Sequence, residues 1–105
     1  SITFIGVDGK TIIDGENLKA IIKSISANYI VTFRNIKFIN GKSTGNGGAI
    51  TINGYLTVDN CVFEDNTGSN GGAIYAGSNS IMVVSSSLFM DNAASNNGGA
   101  IYGGF

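Results

Sequence analysis

The sequence predicts an all-β protein: a right-handed parallel β-helix (solenoid) of about four coils, each with roughly 25 residues and three short strands. The main observation is a two-part motif, in which an aromatic residue close to Asn or Asp is followed by Gly-Gly-Ala-Ile. The motif occurs three times, in the units Phe38–Thr51, Phe63–Tyr75 and Phe89–Tyr102. Its phenylalanines and its Gly-Gly pairs recur at nearly the same period, which is in the range typical of solenoids with stacked coils.

The composition supports a single β domain over residues 1–105. Sixteen glycines occur without any proline, and 43% of the residues are hydrophobic. Disordered glycine-rich chains usually contain proline as well, whereas strands avoid proline because it cannot donate to a ladder. The period divides the domain into coils at approximately 1–27, 28–53, 54–78 and 79–105.

The segment from Ser1 to Ile25 is predicted to form strands, because its apolar runs are short, β-branched and separated by Asp-Gly turn signals. One window, Glu16–Ile25, also fits a helical period of 3.6, so a helix there is the less favoured alternative. When Ile12 is aligned with the phenylalanines, Ala20-Ile21 falls under the Ala-Ile of the later units. This alignment predicts a fourth, atypical unit at the start of the array.

Alternation along the aligned units separates a buried face from a mostly polar face. In the second unit it predicts strands near 31–34, 36–39 and 49–52. The inward columns are Val31, Leu56, Met82; Phe33, Val58, Val84; Ile36, Cys61, Ser87; and Phe38, Phe63, Phe89. The outward columns are Thr32, Thr57, Val83 and Arg34, Asp59, Ser85. Turns are predicted at the Asn-Ile and Asn-Cys pairs and at the Gly-rich loops before each Gly-Gly.

Two other architectures are weaker. A β-sandwich of hairpins would also give short, evenly spaced strands, but it does not explain why equivalent positions keep the same residue type. Helical repeats are excluded by the glycine clusters, which would break every second helix.

The pairing of FxxN with GGAI, as in Phe63–Asn66 with Gly71–Ile74 and Phe89–Asn92 with Gly98–Ile101, resembles the repeats of polymorphic outer-membrane proteins. The whole run from Ile2, with TIIDG, FRNIKFING and GGAI, is similar to adhesin-like surface proteins of methanogenic archaea. The resemblance implies a β-helix at the cell surface or outside the cell, with an adhesive role. The second unit departs from the pattern, since it has Asn40-Gly41 where the motif has x-Asn.

Charge is distributed unevenly along the chain, although the net charge is only −1 and indicates neither nucleic acid nor an anionic membrane as a partner. All six basic residues lie in the first 42 positions against three acids, which gives +3, and the remainder carries −4. This charge polarity favours head-to-tail stacking of one copy on the next, which makes the chain itself one predicted partner. The other predicted partners are cell-surface glycans and proteins. No signal peptide pattern and no apolar run long enough for membrane insertion is present in this segment.

One column of acidic and amide residues is the main candidate for chemistry: Asp14, Asn40, Asp65 and Asp91. Carboxylates on successive coils could share a proton or bind a hard cation, as in polysaccharide-cleaving β-helices. The alternative is that Asp and Asn start turns here. No histidine is present, and no lysine or arginine follows Lys42. We therefore expect turn formation, with no catalytic residue, no metal site, no cofactor and no enzymatic activity.

The remaining motifs are predicted to be structural, with one exception. Asn66 and Asn92 should form an amide ladder beside the phenylalanine column, so that Asn66→Ala costs about 1–3 kcal/mol. Cys61, the single cysteine, is expected to be a small buried hydrophobe. The glycines of residues 45–48 are expected to allow positive φ or close backbone approach rather than to bind phosphate. Arg34 and Asp59 should form a weak exposed ion pair. The exception is the outward pair Tyr75 and Tyr102, which could contact a sugar ligand.

Three functions follow from these expectations. The first is a non-enzymatic structural or adhesive module of an extracellular surface protein. The second is a filament subunit that assembles by stacking of its outer coils. The third is a polysaccharide-binding or polysaccharide-cleaving β-helix.

Overall fold

A computed structural model describes residues 2–25 and 29–103. Over these residues it contains fourteen β-strands and no helix. The strands are β1 (Ile2–Ile5), β2 (Ile12–Asp14), β3 (Ile22–Ile25), β4 (Ile30–Arg34), β5 (Lys37–Ile39), β6 (Ile50–Ile52), β7 (Tyr55–Asp59), β8 (Val62–Glu64), β9 (Thr67–Asn70), β10 (Ile74–Ala76), β11 (Ile81–Ser85), β12 (Leu88–Met90), β13 (Ala93–Asn97) and β14 (Ile101–Gly103).

All strand pairs are parallel, and each strand pairs with its equivalents one coil away. Three sheets have four strands, in the orders β1-β4-β7-β11, β2-β5-β8-β12 and β3-β6-β10-β14, and a fourth sheet contains only β9 and β13. No hairpin pairing occurs among these strands. The predicted parallel β-solenoid of about four coils is therefore confirmed, and the β-sandwich alternative is excluded. The predicted boundary between the first two coils, at residues 27 and 28, lies outside the described residues.

The register confirms the predicted columns of the three clearer units. Leu56 pairs with Val31 and with Met82, and Val58 pairs with Phe33 and with Val84. Phe63 pairs with Phe38 on one side and Phe89 on the other. A period-2 pattern is reliable here because a slip of one residue would turn every buried side chain to the solvent.

In the first unit, by contrast, the predicted alignment is wrong by one residue. Ile13, not Ile12, pairs with Phe38, and Ile22, not Ile21, pairs with Ile50. The reason is local: the Oδ1 of Asp14 accepts a hydrogen bond from the backbone N–H of Glu16 at 2.8 Å. This bond begins the turn inside the Asp-Gly segment, so the strand ends at Asp14 rather than one residue earlier.

The helical alternative for residues 16–25 is also wrong, because this segment is a turn followed by β3. Glu16 and Asn17 both have φ of 58°, in the left-handed region, which no right-handed helix uses. Ile22, one of the apolar residues at the helical spacing, is instead the first residue of β3, which pairs with β6.

The turn predicted before Gly-Gly is wrong in coils three and four, where β9 and β13 form a fourth strand. Close approach explains the pairing. A Cβ on Gly68 would overlap the backbone oxygens of Asn46 and Gly71, so the absence of a side chain lets the loop lie flat against its neighbours. Lys42 extends this contact to coil two as an isolated bridge with Thr67.

The core is one cluster of apolar side chains from the inward columns of coils two and three. Its fully buried members include three phenylalanines, Phe33, Phe38 and Phe63. Coils one and four cover this core from either side with partly buried side chains: Ile21 and Ile22 of coil one, and Met82, Phe89 and Ile101 of coil four. Among the described residues, none lies in a helix that could cross a membrane.

Candidate functional site

The phenylalanine column is a continuous stack of parallel rings. The ring centroids of Phe38 and Phe63 are 4.7 Å apart, and those of Phe63 and Phe89 are 4.8 Å apart, with interplanar angles of 9° and 3°. These separations equal the spacing of paired strands. Phe38 and Phe63 are fully buried, and Phe89 is half-buried in coil four, so the column serves mainly to stabilise the coils.

Asn66 is the centre of the predicted amide ladder. Its side chain is fully buried, and its Oδ1 accepts a hydrogen bond from the N–H of Gly41 at 2.8 Å. Its Nδ2 donates to the carbonyl of Phe38 at 3.1 Å and to Oδ1 of Asn92 at 3.0 Å. Asn92 in turn donates to the carbonyl of Phe63. Each amide thus satisfies backbone groups of the preceding coil.

The acidic column does not contain all four predicted residues. Asn40, Asp65 and Asp91 share a column with φ of 55–58°, but the residue of the first coil in that column is Gly15, because Asp14 pairs with Ile39. Asn and Asp tolerate the left-handed region better than other residues with a Cβ. The column therefore uses these residue types to turn the chain. Among the described residues no group of three or more potential metal ligands occurs.

Cys61 is buried between Ile36 and Ser87, as predicted. Its thiol donates weakly to the carbonyl oxygens of Phe33 and Asp59, at 3.5 and 3.4 Å. Burial raises the pKa of the Cys61 thiol above its ordinary value, and the nearby Asp59 carboxylate raises it further. A neutral, inaccessible thiol is a poor nucleophile.

Tyr75 and Tyr102 are half-buried on the outer face and stack on each other, with ring centroids 5.4 Å apart and an interplanar angle of 9°. Thr51 continues their column in coil two. A sugar that packs on tyrosine needs a free ring face, and each of these rings uses one face for the other ring. The stack leaves the second face of each ring outside the pair, and the contact of these tyrosines with a sugar ligand stays a prediction.

Glycines of the Gly-Gly corners are needed for close approach and, in part, for positive φ. A Cβ on Gly48 would overlap the backbone of Gly72 and Thr67, and Gly71 has φ of 74°. For the predicted segment of residues 45–48, close backbone approach is found at Gly47 and Gly48, and no glycine there has positive φ. Positive φ occurs instead at the corner of coil three. The segment of residues 45–48 has no following helix, so it lacks the geometry of a phosphate-binding loop.

Two ion pairs lie on the outer surface. Nε of Arg34 is 3.6 Å from Oδ2 of Asp59, as predicted, and Nζ of Lys37 is 3.0 Å from Oε1 of Glu64. Column reasoning misses the second pair, because Lys37 pairs with Val62 and reaches Glu64 diagonally. Both pairs are partly exposed and stabilise the fold only weakly.

Three surface depressions on coils one and two are formed by described residues, and the smallest, of about 140 Å³, lies beside residues 13–16 and 19–21. The two larger ones are grooves. The first, of about 290 Å³, lies beside residues 8–12, where Oδ1 of Asp8 accepts a hydrogen bond from Nδ2 of Asn60 at 2.8 Å. The second, of about 510 Å³, is lined by residues 17–20 and 42–44 and is called here the lysine groove, after Lys19 and Lys42. Loop length is the only signal that could have indicated the first groove: six residues join β1 to β2, whereas two join β4 to β5.

Comparison of the sequence with known protein families finds a similar repeat in two segments of the chain. Residues 60–77 and 86–104 match the model of the Chlamydia polymorphic membrane protein repeat. No curated protein and no solved structure matches the chain. The two matched segments correspond to the predicted FxxN and GGAI units of coils three and four. The likeness to adhesin-like proteins of methanogenic archaea stays a prediction.

Repeat and fold agree with each other. The matched repeat is that of a membrane protein family, which is consistent with a location at the outer membrane or cell surface. The chain is thus a parallel β-solenoid whose coils three and four each contain a segment similar to the polymorphic membrane protein repeat.

Proposed function

We propose that this solenoid is a non-enzymatic adhesive module of a surface protein. The observation that carries the proposal is the orientation of the repeat motif. Phe38, Phe63 and Asn66 are fully buried and used in packing and hydrogen bonds, and Phe89 and Asn92 continue the same columns half-buried. The outward column of Arg34, Asp59 and Ser85, by contrast, changes residue type from coil to coil. A constant core with a variable surface is suited to recognition by surface contacts.

The test measures binding of the purified chain to intact cells and to immobilised glycans. We expect saturable binding that disappears when the chain is unfolded by heat. The variant Cys61→Ser, which changes a buried residue of the core, should bind as well as the unmodified chain when it is folded. Incubation with polysaccharides should release no reducing ends. Absence of saturable binding would contradict the adhesive role, and release of reducing ends would contradict the non-enzymatic one.

Stacking of coils between copies is a second candidate, favoured by the exposure of apolar inward columns. Phe4 of β1 is 48% exposed and Val84 of β11 is 37% exposed, although both belong to columns that are buried in coils two and three. A second copy placed in register would cover Val84 with Phe4, and the basic and acidic halves would lie against each other. Edge strands with unpaired N–H and C=O groups favour such pairing.

Sedimentation velocity over a range of concentrations tests this stacking. We expect association that Phe4→Lys abolishes and that Val7→Lys, an exposed control outside the column, does not change. A chain that remains monomeric at the highest concentration, or an equal effect of the two substitutions, would contradict the candidate.

A further inference from the structure

The lysine groove is built from two lysines on adjacent coils. The backbone N–H of Lys42 donates to the carbonyl of Lys19 at 3.0 Å, so the two residues are neighbours on adjacent coils, offset by one residue. Both side chains are exposed. The position of Lys42 continues as Thr67 and Ala93 in coils three and four. The pair of ammonium groups is therefore confined to coils one and two.

Neither lysine is neutralised by a carboxylate among the described residues. The two ion pairs found there use Arg34 and Lys37 instead. The chain contains no Asp or Glu between Asn17 and Val58. The acids nearest in sequence are Glu16, on the turn that leads into the groove, and Asp14, whose Oδ1 accepts hydrogen bonds from the Glu16 N–H and from Asn40. Asp14 and Glu16 line a shallow depression beside the groove together with Lys19, but among the described residues neither carboxylate forms an ion pair with Lys19 or Lys42. The two ammonium groups are therefore free to bind an anionic group.

Other groups lining the groove supply hydroxyls and an apolar surface. Ser43 and Thr44 lie at one side, and the Oγ of Ser43 accepts from the N–H of Gly45 at 3.0 Å, which leaves its proton free to donate. Leu18 is 77% exposed at the other side. A saccharide ring presents both hydroxyl groups and apolar C–H faces, so this mixture of groups fits a sugar better than an isolated anion.

We propose that the lysine groove binds an acidic oligosaccharide, through sulfate or carboxylate groups held by Lys19 and Lys42. The spacing of the two lysine backbones, about 4.8 Å for adjacent strands, lets both flexible ammonium groups reach anionic groups on one or two neighbouring sugars. Ser43 and Thr44 bind ring hydroxyls, and Leu18 packs against a ring face. This assignment rests on the proposed adhesive function and names its ligand class.

Calorimetric titration of the purified chain with defined hexasaccharides tests the proposal. The probes are a sulfated hexasaccharide, a uronate hexasaccharide and a neutral glucose hexasaccharide. We expect binding of at least one acidic probe, weakened by added salt because exposed charges are screened, and no binding of the neutral probe. The two acidic probes distinguish a sulfate ligand from a carboxylate ligand.

Substitution of single lysines locates the site. Lys19→Gln and Lys42→Gln should each raise Kd about fivefold, which corresponds to an exposed charge contact of about 1 kcal/mol. The matched control is Lys37→Gln, which removes the same charge on another face of coil two and should leave Kd unchanged. All three side chains are at least partly exposed, so circular dichroism should show an unaltered fold.

Results that would overturn the assignment differ from those that would overturn the adhesive role. An equal loss of affinity in all three variants would mean that binding depends on net charge only. If neither acidic probe binds, the assignment of an acidic oligosaccharide as the ligand is wrong. If the double variant at Lys19 and Lys42 still binds cells like the unmodified chain, the groove proposal fails and the adhesive function stands. If the unmodified chain binds no cells, the adhesive function fails, whatever the probes show.

Discussion

Phe63→Ala is expected to lower the free energy of unfolding by about 3–5 kcal/mol, the range for removal of a buried aromatic ring from a core. Phe63 is fully buried and stacks on both Phe38 and Phe89. Its removal leaves a cavity between two rings that the strand register keeps in place, so the neighbours cannot close it. Since small domains have a free energy of unfolding of only about 5–15 kcal/mol, this single change should remove a large part of it. Urea unfolding followed by circular dichroism measures the loss.

Phe89→Ala is the matched control, because it removes the same ring from the same column one coil further on. Phe89 is only half-buried and stacks on Phe63 alone, so its loss leaves an indentation rather than a closed cavity. We expect a clearly smaller effect, with Phe63→Leu also milder than Phe63→Ala. Equal destabilisation by the two alanine substitutions would contradict the stacked core.

Asn66→Ala is expected to lower the free energy of unfolding by about 3 kcal/mol, the upper end of the range foreseen from sequence. The buried N–H of Gly41 loses its acceptor. The carbonyl of Phe38 loses one of its donors, although β5 stays paired with β8 there. Oδ1 of Asn92 loses the Asn66 amide but still accepts from the Asn66 N–H. The same urea unfolding measurement reports the change in free energy.

Asn60→Ala provides the comparison for Asn66. Asn60 forms a similar ladder, donating to Oδ1 of Asn35 at 2.9 Å and to Asp8, but its side chain is exposed. Water can replace the lost bonds there, but Asn60 has φ of 51°, where alanine is less stable by about 1 kcal/mol, so we expect a loss of about that size. An Asn66→Ala protein as stable as the Asn60→Ala protein would show that the buried ladder adds nothing to stability beyond the exposed one.

The columns from Val31 to Ser87 could be predicted because two independent periods coincide there. Alternation along each strand assigns a face, and the repeat of about 25 residues assigns a neighbour. Only one register satisfies both. The same logic predicts the Arg34–Asp59 pair, whose members stand opposite each other.

Features that depend on local turns or on side-chain reach could not be predicted in this way. Ile12 and Ile13 are the same residue type, and the first unit has neither the aromatic nor the Gly-Gly pair, so nothing in the pattern decides between them. The hydrogen bond from Glu16 to Asp14 makes that choice. The lysine groove likewise depends on a turn with positive φ at Asn17, and periodicity contains no information about its shape.

The loop that carries Asp8 has a consequence for how the chain finds its register during folding. Units of nearly equal length, with the same residue types in the same columns, allow a slip by one whole coil. Such a slip would still place phenylalanine on phenylalanine and asparagine near asparagine, so neighbouring coils alone distinguish it poorly. Asp8 reaches Asn60, 52 positions further along the chain and two coils away, and only the native alignment satisfies that contact. The contact made by the atypical first coil therefore favours the native alignment of the coils over alignments that are shifted by one coil.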